Sequence, residues 1–306
     1  MDNMQKIPVF FTFDANYLLA AKVAIHSMMK HASRQYWYEL YVFHTTLSPK
    51  AQQSLRNSLK EFTHTELHFI DVTQYNEKIK NFGTKAHYSK EIFYKLIATD
   101  VLPQYDRIIC SDVDVVFTGD FSPVFFMFPN EKFYYAGVGP VENSRMPYYR
   151  KDFSTTEMEI LEHEIAAGFL LINLKELRND HKQEEIINFY VNNYPRLRLP
   201  EQDCIILTCW PYIKYLPIDY SLPISFYRLN MNQRDFYQGN TEFAGDKATA
   251  LAKIGTSRTN SLCRFRQTVE LFPAHPTARL DKGHEIHPGR NGIIPQIVTA
   301  EFIDAN

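Results

Sequence analysis

Cysteine is scarce in this chain. Cys110, Cys204, Cys209 and Cys263 show neither metal-ligand spacing nor the framework of a small disulfide scaffold. Cys110 and Cys204 lie in apolar runs and read as small buried hydrophobes. Charge of one sign is missing too: the formal net charge of −2 gives no global electrostatic case for nucleic acid or an anionic membrane. No window approaches the length of a membrane span. Met1-Asp2-Asn3 is not followed by a charged region leading into an apolar one, so no signal peptide is expected. There is no internal repeat. These absences point to a reduced, cytoplasmic protein, with at most peripheral association at the inner face of a membrane.

What is present is ordinary globular material, 45% hydrophobic and 22% charged over 306 residues, enough for one large domain or two modest ones. The 19 Tyr and 23 Phe suit flat, apolar-faced ligands such as sugar rings, and equally a large core.

Residues 9–13 read as a buried strand, 14–17 as a polar turn, and the following stretch to His31 as a helix with Leu18, Ala21, Ile25 and Met28 at helical spacing. Residues 39–44 and 67–70 are further strands. Between them Ser48-Pro49 opens a helix, with Pro at its first position. Residues 74–88 are polar and irregular. Ser89 opens a helix carrying Ile92, Phe93, Leu96 and Ile97, and residues 108–117 form the next strand. This alternation implies an α/β fold with parallel pairing and helices on both faces. Ligands of such sheets bind beyond the carboxyl ends of the strands. Strands at 133–138 and 168–173, a Tyr- and Arg-rich loop at 140–153, and a single helix at 175–194 capped by Asn173 with Glu176 come next. A short helix opened by Glu201-Gln202-Asp203 and a strand at 212–216 follow, and 230–306 reads as a loop-rich extension of a 1–229 domain.

The chemistry concentrates at Asp112-Val113-Asp114. Alternation along one strand places both acids on one face and Val113 on the other. Two carboxylates at a buried strand end repel unless a cation lies between them. Mg²⁺ and similar hard ions take one or two carboxylates and complete their shell with water and phosphate. The competing reading is a solvated strand end whose acids cap the next turn.

Four ordered blocks decide between these: Phe11 to Tyr17, Ile108 to Phe117, Ala167 to Leu174, and Glu201-Gln202-Asp203. Together, over about residues 7–220, they resemble glycosyltransferase family 8, which includes bacterial lipopolysaccharide galactosyl- and glucosyltransferases and glycogenin. The resemblance implies a GT-A fold with a Rossmann-like, mostly parallel sheet. It further implies a UDP-sugar donor, a Mn²⁺ or Mg²⁺ ion, a glycan, glycolipid or glycoprotein acceptor, and transfer of galactose or glucose with retention of configuration. It assigns Asp14, Asn16 and Tyr17 to uracil and ribose, and Asp112 and Asp114 to the metal. Val113, Ala167 and Gly168 fall at the donor, and Lys95 stands where the family usually has an Arg reaching the donor and the acid at position 201. Glu201 and Gln202 face the sugar as the catalytic pair, with the Gln202 carbonyl dipole stabilising an oxocarbenium-like transition state. Read without the family, Asp14 is a helix cap, Lys95 is an exposed partner of Glu91, and Glu201 to Asp203 are acids at a helix start.

Three positions depart from the family. Its Asn-Ala-Gly reads Ala166-Ala167-Gly168, and Val138-Gly139-Pro140 stands where many members carry an Asp, with Glu142 the nearest acid. Its C-terminal His-x-x-Gly-x-x-Lys-Pro-Trp is not recognisable. His275 is the candidate third metal ligand, with His284 and His287 as competitors and Arg279 or Lys282 as phosphate partners. These departures keep open an inactive nucleotide-sugar-binding relative. A haloacid-dehalogenase-type phosphotransferase with Asp112 as nucleophile is the other alternative.

Overall fold

A computed structural model describes residues 4–80, 82, 89–139, 151–220 and 252–254. β1 (Lys6–Thr12), β2 (Trp37–His44) and β3 (Thr65–Asp71) pair in parallel, and β4 (Ile108–Ser111) joins the free side of β1 in the same direction. β1 and β2 are buried at almost every residue, as strands covered on both faces must be. α1 (Leu18–His31) returns the chain from β1 to β2, packing Ala21, Ala24, Ile25 and Met28 into the core. α2 (Pro49–Ser58) returns it from β2 to β3, with the Ser48 hydroxyl accepting from the Ala51 N–H at 3.3 Å. The third crossover is a 3₁₀ helix, Lys90–Ile97, continued by one α-helical turn at Ala98–Val101, where a single α-helix was expected. Nearly every residue of the 3₁₀ stretch is buried, so packing overrides local propensity in setting how it winds.

Four more strands follow, β5 (Val115–Phe117), β6 (Tyr135–Val138), β7 (Phe169–Ile172) and β8 (Ile213–Leu216). The main sheet runs β3-β2-β1-β4-β7-β6-β8, with β7 antiparallel to both neighbours. The carboxyl ends of β1, β4, β6 and β8 therefore share one edge. β5 leaves this sheet and pairs antiparallel with β9 (Ala252–Ile254).

The expected single strand at 108–117 is thus two. The Asp112 N–H donates to the Gly168 carbonyl at 2.8 Å, closing the last rung against β7, and the chain then bends away. Beyond the bend the Phe117 N–H donates to Ser27 Oγ of α1 at 3.0 Å. Asp112 and Asp114 flank this bend instead of sharing a strand face, while Val113 still turns into the core.

The helical half contains α3 (Thr155–Leu161), α4 (Leu174–Asn179), α5 (Lys182–Asn193) and α6 (Pro200–Cys209). The helix expected over 175–194 is broken into α4 and α5 at His181, which has φ 51°. Beside the break, Asp180 accepts from the Tyr134 hydroxyl and from Lys132 Nζ, both at 2.6 Å, which anchors the interruption to β6. Asn173 caps α4 as expected, accepting from the Glu176 N–H at 3.2 Å.

Two cores lie against the sheet. Val9 and Phe11 pack with α1, while Phe10, Ile108 and Cys110 pack with the 3₁₀ helix, α5 and α6. Cys110, Cys204 and Cys209 are buried free thiols, all pushed up by burial, so they are inert packing residues. Among the described residues no helix is long and apolar enough to cross a membrane. Glu142, Tyr148 to Arg150, His275, Arg279, Lys282, His284 and His287 lie outside the described residues.

Candidate active site

Each parallel strand at the centre of the sheet delivers acids just past its last residue: Asp14 after β1, Asp112 and Asp114 after β4. The site is organised by a cation that comes from neither strand. Lys95, on the 3₁₀ helix, is only 2% exposed. Its ammonium lies 2.7 Å from Asp112 Oδ1 and 3.2 Å from Glu201 Oε1, and donates to the Ala167 carbonyl at 3.1 Å. Burial alone would push the ammonium toward neutrality; the charges of Asp112 and then Glu201 outweigh it and raise its pKa. The exposed Glu91–Lys95 pair is not what forms, since both side chains are buried.

Glu201 and Gln202 open α6 behind Pro200, where acids suit the helix dipole, but both are buried instead of solvated. Burial raises the Glu201 carboxyl, opposed by Lys95. Its Oε2 has no hydrogen-bond partner among the described residues. The Gln202 carbonyl, expected to face the anomeric carbon, accepts from the Ala167 N–H at 3.0 Å, while its Nε2 is buried without a partner among the described residues. Ala167 and Gly168 therefore join the site through their main chain, which any side chain leaves unchanged.

Asp114 is pushed up to about 7, first by burial and then by the neighbouring Asp112 charge. The Tyr17 hydroxyl is pushed up to about 12 by burial and then by Asp114, Asp14 and Asp112. It sits within the field of all three acids, which places the first block near the Asp pair. Asp14 itself is a working cap. Its Oδ1 accepts from the N–H groups of Asn16 (2.9 Å) and Tyr17 (3.3 Å), and its Oδ2 accepts from Asn16 Nδ2 at 3.0 Å.

The pair of carboxylates fits a hard divalent ion. Both donors are oxygen, and the Asp114 carboxyl, raised by burial first and by the Asp112 charge second, would be favoured in its charged form by such an ion. Among the described residues no third His, Cys, Asp or Glu completes a cluster.

The resemblance places a cation at position 95 within reach of the acid at 201, as found, but neither its contact with Asp112 nor its burial was read from the sequence. The signal was available: Ile92, Phe93, Leu96 and Ile97 surround it, and a helix apolar on all sides is buried, so a charge inside it must be paired.

The chain matches the model of glycosyl transferase family 8 over residues 8–243. No curated protein matches it. Among solved structures, galactosyltransferase LgtC in complex with donor and acceptor sugar analogs aligns with TM-score 0.67 at 17% identity, covering 89% of this chain and 98% of that one. The bifunctional glycosyltransferase WbbM aligns with TM-score 0.63 at 18% identity over 81% of this chain, which spans only 45% of WbbM. Mouse xyloside xylosyltransferase 1 aligns with TM-score 0.59 at 16% identity, covering 83% of this chain and 98% of that one. These likenesses carry the fold, a GT-A arrangement, and the match over residues 8–243 carries the family: the chain belongs to glycosyltransferase family 8.

Proposed function

We propose that this glycosyltransferase moves a hexose from a UDP-sugar to a glycan, glycolipid or glycoprotein acceptor, with retention and with a divalent ion. One observation carries the reading: Lys95 joins Asp112, at the proposed metal pair, to Glu201, at the proposed sugar-facing pair, which lies 106 residues beyond Lys95 in the chain. Nothing about a packed core requires two acids from separate segments to converge on one buried cation.

In this reading Tyr17 stacks on or borders the base while Asp14 holds the turn that presents it. Asp112 and Asp114 hold Mn²⁺ or Mg²⁺, with His275 as the proposed third ligand. When bound, the ion neutralises charge on the donor diphosphate. Glu201 Oε2 accepts from a sugar hydroxyl. Gln202, its carbonyl held by the Ala167 N–H, offers its Nε2 donors to the donor sugar without acting as a nucleophile. Family membership sets aside the phosphotransferase alternative. The galactose or glucose assignment draws on the family and on the galactosyltransferase named among the structural neighbours.

A UDP-hexose panel with detection of released UDP tests the proposal. Slow donor hydrolysis with one or two hexoses, abolished by EDTA, is expected. UDP binding with no release from any donor would favour the inactive relative.

A further inference from the structure

The proposed chemistry uses only the carboxyl edge of the sheet. At the opposite edge, about 20 Å away by the length of β1, lies a cavity of about 700 Å³. It opens between the residues just before β1 and β4, the start of α4 and the 3₁₀ helix Ser122–Phe126. Sites for small ligands are of this size, roughly 300–1,000 Å³.

The charges lining it cancel: Arg107, Lys132 and Lys175 against Asp106, Glu131 and Glu176. Most are already engaged. Lys132 meets Asp180 at 2.6 Å, Glu131 meets Lys214, and Asp106 accepts from Arg178 at 3.3 Å. The Arg107 guanidinium donates to the Met127 and Phe128 carbonyls, both at 2.7 Å. An anion would find few uncommitted cations here, and a cationic ligand few uncommitted acids. Gln5 and Asn130 add amides, which both donate and accept. Such a lining suits a neutral ligand rich in hydroxyls.

One wall is aromatic. Phe126 is 41% exposed, and its ring is fixed between Tyr36, at 5.2 Å, and Phe125, perpendicular to it at 5.3 Å. The turn that presents it is held at both ends. Asp120 accepts from the Ser122 N–H at 2.9 Å, and Arg107 clamps the carbonyls just beyond Phe126. Phe128 has φ 56°, a costly conformation for a bulky residue, which this clamp sustains. A rigid apolar ring beside a neutral polar wall matches a pyranose, with C–H groups on its face and hydroxyls around its rim.

We propose that this cavity is a second glycan-binding site, holding a neutral hexose unit of the acceptor chain away from the transfer point. The choice of a glycan rests on the proposed function. Anchoring here would raise the effective concentration of the same chain's end at the carboxyl edge.

Calorimetric titration with maltohexaose, cellohexaose, mannohexaose and galactotetraose, without UDP or metal, tests this. At least one should bind the parent, about tenfold more weakly in Phe126→Ala and with affinity restored in Phe126→Tyr. The same sugar should bind Asp112→Ala plus Asp114→Ala as it binds the parent. Phe126→Ala should leave both the melting temperature and UDP release from a UDP-hexose unchanged, since the ring is partly exposed and far from the donor. Binding of none of these sugars, equal binding in Phe126→Ala, or binding of a galacturonic acid oligomer alone overturns the proposal. Phe126-dependent glycan binding in a chain that binds no UDP with any metal would overturn the donor reading and leave this site standing.

Discussion

At the amino ends of β1 and β2, Glu39 is matched by Lys6 at 2.7 Å and by the hydroxyl of Tyr105, which in turn meets the Tyr41 hydroxyl at 2.6 Å. One acid faces one cation and two phenols, and although burial opposes it, the Glu39 carboxyl is held below its ordinary value. At the carboxyl ends of the same sheet, Asp112 and Glu201 share a single ammonium, and the neighbouring Asp114, pushed up first by burial and then by Asp112, rises to about 7. The sheet is the same, but the cation is exposed at one end and buried at the other, and the accounts of charge differ. A balanced cluster fastens the fold. An unbalanced one, with acids in excess at the carboxyl edge of the sheet, is where the proposed divalent ion would be held.

The comparison breaks if the two ends respond alike to substitution. The largest effect should come from Asp112→Ala with Asp114→Ala, which removes the excess negative charge. Turnover measured by UDP release should fall by about 10³-fold or more, several kcal/mol of transition-state charge stabilisation. Next is Lys95→Met, which leaves the buried Glu201 and the part-exposed Asp112 without their cation and should cost about 3 kcal/mol in urea unfolding. Asp14 separates cap from ligand. Asp14→Ala should lose about 1 kcal/mol of stability, while Asp14→Asn keeps the cap, so any loss of UDP affinity in Asp14→Asn reports the charge alone.

The smallest effect belongs to the balanced end. Glu39 has a folded pKa below its ordinary 4.5, so its contribution is present above that pH and is lost as pH falls through the depressed value. Glu39→Gln should therefore lose that acid limb in a pH series of melting temperatures. Its cost at neutral pH should be only about 1 kcal/mol or less, because Lys6 is well exposed.

Strands and crossover helices were legible in the sequence because their burial is periodic or continuous, and Ser48-Pro49 and Asn173 announced their caps by residue type. The breaks were not. His181 in the left-handed region and the bend after Ser111 depend on Asp180 meeting Tyr134 and on β5 turning to α1, contacts between residues far apart in sequence. The same holds within the site. The acids could be named from their blocks, whereas the ammonium joining Asp112 to Glu201 exists only once three segments are packed together. Asp14 taught the converse, since the local cap written in Asp14-Ala15-Asn16-Tyr17 is what the fold contains.

The most direct test is thermal melting with UDP and Mn²⁺ together. The account predicts a clear rise in the parent's melting temperature, by linkage of binding to folding, and its disappearance in Asp112→Ala plus Asp114→Ala. No rise in the parent, or an equal rise in the double variant, would contradict a nucleotide–metal site built on the Asp pair.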